Sequence, residues 1–229
     1  MEFKEKEIKR LAECKSFLKQ INERLVKKVA AYDLGYVAKL PFKAASLHEL
    51  LLYRVADLSE TAINLFELKK MVPAIIMTRA VYETTAVLHS LGAKIEEVIR
   101  TNDVENVDQF FMKSLFGGRV KSAPIECTNI LGAVDRINKK FEHFRDSYDD
   151  LSEYAHPNWC GLMGSYGNLV KETATLHLGR EASKISAMVA LPLLAASLAI
   201  FLHHYDEIKK RLPKFNNICE KSIVRKKKG

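Results

Sequence analysis

His156 is the residue best suited to chemistry in this chain, because an imidazole titrates near neutrality and can act as acid, base or ligand. Polar groups crowd the positions before it. Ser152 stands four residues earlier, Glu153 three earlier, and Tyr148 and Asp149 two helical turns back, so one helix would gather these side chains toward one end. Pro157 cannot continue a helical ladder and biases His156 away from helical dihedrals, which predicts a helix end at His156. A plainer role for His156 is to cap that helix, with Asn158 and Ser152 holding the following turn. Trp159 and three glycines, Gly161, Gly164 and Gly167, follow at once.

Arg79 and Glu83 form the second constellation. They lie four apart inside a mostly apolar run, so they share a helix face and can pair with each other or reach a common partner. A buried charge demands such a partner. Two arrangements follow. In an enzymatic one, His156 serves as acid or base, Arg79 stabilises a phosphate charge, and Glu83, Tyr148 and Ser152 orient them. In a non-catalytic one, Arg79, Glu83, Ser152 and His156 form a polar lock that holds helices in register.

Other groupings are thinner. Glu153 and His156 match the Glu-x-x-His spacing of dinuclear carboxylate sites, but the chain has no second copy. His203-His204 with Asp206 is a weak metal signal, since adjacent histidines point to different helix faces. Ser152, His156 and Asp149 or Asp150 supply the names of a hydrolase triad without a nucleophile elbow or an oxyanion loop. No Gly-rich phosphate loop of Walker or Rossmann pattern is present. Neither a metal nor a cofactor is expected.

The elements that must hold these residues read as helices. Apolar positions from Ile8 to Val29 keep helical spacing over about 4–32, with Lys15, Lys19, Arg24, Lys27 and Lys28 on the other face and Gly35 and Pro41 as terminators. Ser46 and Glu49 read as a capping box opening a helix to about Lys70. Pro73 suits the first turn of the next helix, through Leu91. Residues 93–116 give another, interrupted near Thr101-Asn102-Asp103. From Cys127, Ile130, Leu131, Val134, Ile137, Phe141 and Phe144 resume the period toward Ala155. Residues 173–178 alternate like a short strand.

The last helix reads as Lys184 to Arg211. Residues 185–202 carry no charge, a length that meets the threshold for a membrane span, yet alanines, serines and Pro192 suit a buried bundle helix better. The fold class expected is therefore an all-α, up-and-down helical bundle with a small β-hairpin or ordered loop after His156. Its divisions would be an N-terminal amphipathic helix at 1–42, a bundle domain at 43–212 and a basic tail at 213–229, whose last residues, IVRKKKG, are expected to be mobile.

The 229 residues suffice for a sizeable core. A net charge of +8 favours anionic partners such as RNA, DNA or acidic lipid, without choosing among them. Four scattered cysteines with no CxxC suggest neither a zinc ribbon nor a disulfide framework and fit reduced thiols in the cytoplasm. The first residues lack the apolar core of a signal peptide.

LSEYAHPNWCG at 151–161, followed by GSYGN at 164–168, resembles an uncharacterised family of bacterial all-helical proteins marked by a Tyr…Leu-Ser-Glu-Tyr-x-His-Pro run. The Arg79…Glu83 pair looks like that family's second marked position, and the likeness spans roughly residues 43–205. Its broader relatives are HEPN-type bundles. That resemblance implies a homo-oligomer acting on RNA or sensing a nucleotide in bacterial stress or defence, in its enzymatic version a metal-independent ribonuclease, with a non-catalytic protein that binds a protein partner as the alternative. Nucleases of that group use an Arg and a His separated by four to six residues on one helix. Here His156 has no Arg at that spacing, whereas Arg136 and His143 have six residues between them, with Ile137 where a polar residue is usual.

Overall fold

The computed structural model describes residues 3–31, 37–180 and 185–228, the last five by their backbone alone. Gly35 as a helix stop and Lys184 as a helix start lie outside these residues. Eight α-helices and one two-stranded antiparallel sheet make up the described chain, an all-α bundle carrying a small hairpin as the residue pattern predicts.

The first helix, α1 (Glu5–Asn22), ends about ten residues earlier than its apolar period suggests. Its basic face is partly committed, since Lys15 pairs with Glu67 at 2.6 Å, and Arg24, just past the helix, holds both oxygens of Asp206. The second, α2 (Lys39–Glu67), begins before Ser46, so Pro41 opens a helix instead of closing one. Ser46 and Glu49 are therefore not a capping box.

A tight turn with Lys69 in the left-handed region leads into α3 (Met71–Thr101), one continuous helix through residue 93. Asn102, also left-handed, stops it. Then come α4 (Val107–Phe116), α5 (Ile130–Asn138) and α6 (Phe144–Glu153). The single helix expected from Cys127 to Ala155 is thus two, broken at residues 139–143, with His143 left-handed. After a one-turn helix, α7 (Met163–Tyr166), strands β1 (Gly167–Val170) and β2 (Thr175–Leu178) pair antiparallel. A 3-10 turn at Ala187–Val189 precedes α8 (Leu191–Lys228).

The core follows from these periods. Helix α3 lies against α2, α5, α6 and α8, and α8 also packs on α1 and α2, so α3 and α8 form the centre. Leu88, Leu91 and Ile95 of α3 meet Leu194, Leu198 and Phe201 of α8 in one buried cluster. Helix α8 runs past Arg211 because apolar positions continue beyond it, and Phe215 and Cys219 are buried. The basic tail expected at 213–229 continues α8 through Lys228. Length and composition would let α3 and Ala187–Ile223 cross a membrane, but 56% of each apolar window is buried inside the chain.

Candidate functional site

Helices α3 and α6 bring four of the five expected site residues together. Arg79 leaves α3 and lays its guanidinium along α6. Its Nε donates to Ser152 Oγ at 2.8 Å and its Nη2 to Tyr148 Oη at 2.6 Å. Nη2 also sits 3.2 Å from Glu83 Oε1, the ion pair that the four-residue spacing predicts. The guanidinium carbon lies 4.9 Å from the centre of the Tyr148 ring, within cation–π range.

The two hydroxyls complete the circuit. Tyr148 Oη accepts from Arg79 and donates to Glu83 Oε1 at 3.0 Å, while Ser152 Oγ accepts from Arg79 and donates to the Tyr148 carbonyl at 2.7 Å. Each hydroxyl proton is thereby used. The Tyr148 ring is buried, and Arg79 and Glu83 keep only 28% and 24% of their side chains exposed. Burial, and then the charge of Glu83, push the Tyr148 phenol above its ordinary range, with Arg79 pulling partly the other way. Tyr148 therefore stays a protonated donor. Ser152 has a carbonyl, not a base, on its proton, and so is not activated for attack.

His156 stands apart. Helix α6 ends at Glu153, so the imidazole lies three residues past the helix end, is exposed, and makes no hydrogen bond or ion pair among the described residues. Its neighbours build a compact turn without it. Asn158 Nδ2 donates to Glu153 at 2.7 Å, and Asn158 Oδ1 accepts from the Gly161 amide at 3.1 Å. Gly161 is required there, because a Cβ would collide with the His156 carbonyl oxygen. Gly161→Ala should therefore open this turn at a cost of about 1–2 kcal/mol, visible as altered iodide quenching of Trp159, the chain's one tryptophan.

The remaining sequence constellations come apart. Asp149 is taken by Arg145 at 2.8 Å, so Ser152, His156 and Asp149 share no hydrogen bond and form no triad. Arg136 belongs to α5 and donates to Ser90 at 2.7 Å, whereas His143 precedes α6 and faces Asp146. These two never share a helix. Among the described residues no three His, Cys, Asp or Glu side chains converge as a metal site needs. Two open hollows lie at Asn22–Glu60 and Gly118–Asn129, and neither is lined by Arg79, Glu83, Tyr148 or Ser152.

Two clusters escaped the sequence reading. His48, buried in α2, stacks on Tyr205 of α8 with ring centres 4.0 Å apart. Its Nε2 lies 3.1 Å from the Tyr205 carbonyl and must donate, while Nδ1 lies 2.9 Å from Glu49, which also accepts from the Tyr205 hydroxyl. The other is a histidine pair, His89 Nδ1 and His204 Nε2, 3.1 Å apart between α3 and α8. Burial, and then the charges of Lys140 and Arg136, push His89 down to about 4. Burial, His89 and Lys140 do the same for His204, also to about 4. The only sequence signal was polar residues set in apolar helical stripes, which names no partner.

Compared with family models, with curated proteins and with solved structures, the chain matches none.

Proposed function

We propose that this chain is a non-catalytic helical interaction protein in which Arg79, Glu83, Tyr148 and Ser152 lock α6 onto α3. One observation carries it: both hydroxyl protons and the Arg79 contacts are spent inside the cluster, while His156 lies outside it. A polar network whose hydroxyl protons all find acceptors within it can specify packing without chemistry. Its location gives it a purpose, because α6 is the helix from which the Asn158 turn, α7 and the hairpin extend. Fixing α6 fixes the base of that arm.

The supporting experiment compares melting of Arg79→Ala and His156→Ala. A lock loses stability with Arg79 and is indifferent to His156. Equal loss for both, or none for Arg79→Ala, contradicts it.

A second reading, an RNA-acting or nucleotide-sensing protein of bacterial stress or defence type, keeps support from the net charge of +8 and from an exposed His156 three residues before an exposed Trp159. The Arg79 Nη1 also makes no hydrogen bond among the described residues and could meet a phosphate. Cleavage of RNA by the purified protein tests it.

A further inference from the structure

The hairpin is built with its apolar face outward. In the register Gly167↔Leu178 and Leu169↔Leu176, antiparallel pairing places Leu169, Leu176 and Leu178 on one face, and Asn168, Val170, Thr175 and His177 on the other. All four β2 residues are exposed. An isolated two-stranded hairpin is marginally stable in water and needs a further layer on its apolar face. The bundle does not supply one: the substantial contacts of β1 are with β2 and α7.

The exposed apolar surface extends along the arm. Relative exposures are 71% for Trp159, 53% for Leu162, 37% for Tyr166, 49% for Leu169, 42% for Leu176 and 76% for Leu178. At about 200 Å² for a fully exposed side chain of this size, those fractions amount to roughly 650 Å². Gathered within twenty residues of chain, that is of the same order as the roughly 800 Å² per partner of a standard interface.

Charge narrows the choice of partner. Residues 159–178 contain only Lys171 and Glu172 among Asp, Glu, Lys and Arg, so this segment is neutral in a chain carrying +8. Two copies repel each other least through such a segment, and an anionic surface has little there to hold. An isologous contact about a twofold axis needs one self-complementary patch, which the Leu169, Leu176 and Leu178 face offers.

We propose that the arm is a homodimerisation surface, in which the Leu169/Leu176/Leu178 face of one copy packs on the same face of a second, with Trp159 and Leu162 beside it. This rests on the interaction reading above and names its partner. The two hairpins become a four-stranded, two-layer sandwich, and with Trp159, Leu162 and Tyr166 of both arms also covered the contact buries up to about 1,300 Å² of apolar surface, near the lower end of stable interfaces.

Sedimentation equilibrium of the full chain, across roughly 1 to 100 µM, tests this together with Trp159 fluorescence. The wild type should sediment at twice 26.0 kDa, with Trp159 blue-shifted and shielded from iodide as concentration rises. Leu176→Lys with Leu178→Lys should sediment as a monomer with Trp159 exposed. Both leucines face solvent in the single chain, so its melting temperature at low concentration should stay unchanged.

Three results overturn the proposal: a wild type that stays monomeric, a dimer that survives the double lysine change, or a monomer whose Trp159 shifts blue only on adding phosphatidylglycerol vesicles, which would make the arm a lipid contact. Failure of the interaction reading shows separately, as RNA cleavage lost on His156→Ala.

Discussion

Arg79→Ala should lower the free energy of unfolding by about 3 kcal/mol in urea titration. Removing one partner of a largely buried ion pair strands the other, which costs about 3–5 kcal/mol in a dry interior. The quarter exposure of Arg79 and Glu83 puts the loss at the low end of that range. It also leaves the Tyr148 and Ser152 oxygens without their donor. Tyr148→Phe keeps the ring against the core and removes only the hydroxyl that links Arg79 to Glu83, so it should cost about 1–2 kcal/mol. Arg79→Ala with Glu83→Ala should cost less than the two losses added, by about 1–2 kcal/mol, because removing both charges leaves none stranded. Additive losses would mean that the two charges are not coupled.

Acidification from pH 6.5 to pH 4 should remove about 3 kcal/mol that depends on the His89–His204 pair. The folded rings are held down to about 4, against 6.5 for an ordinary histidine, a difference worth about 3 kcal/mol on one ring. Half-burial of His89 leaves it partly screened, so the pair is given the value of one ring. Below pH 6.5 the unfolded chain binds protons that the folded chain refuses. This contribution is therefore fully present above about 6.5, declines as pH falls, and is gone near 4. Groups around the pair oppose the first proton: Arg136 and Lys140 come from α5 and the turn after it, and His203 and Arg211 from α8. Phe141 covers the His204 ring edge-on. Carboxylates elsewhere also titrate in this window, so the measurement is the wild-type profile minus that of His204→Gln. A variant profile parallel to the wild type would exclude the pair as the source.

Local pattern made part of this legible. The four-residue spacing of Arg79 and Glu83, with Tyr148 and Ser152 also four apart, was enough to put two polar pairs on two helix faces, and the structure joins them. Alternation at Thr173–Leu178 foretold β2, although the strand begins only at Thr175 after a left-handed Ala174. Helix ends were harder, because tertiary packing decides them. Pro41 reads as a stop and serves as a first-turn proline; Pro213 lies inside α8, exposed, while Phe215 and Cys219 hold the helix to the core. The break at 139–143 has an unbroken apolar period across it, so periodicity could not reveal it. His48 and Tyr205 are 157 positions from sharing any local pattern, counted along the bond from His48 to the Tyr205 carbonyl. Only the fold makes them neighbours.

The proposed lock holds α6 on α3 through Arg79 and leaves His156 without a catalytic role. Incubating purified wild type and His156→Ala with total cellular RNA, with melting of both recorded alongside, addresses it most directly. The lock predicts intact RNA with both proteins and identical melting temperatures. RNA cleaved by the wild type and spared by an equally stable His156→Ala would contradict it and make this chain a ribonuclease.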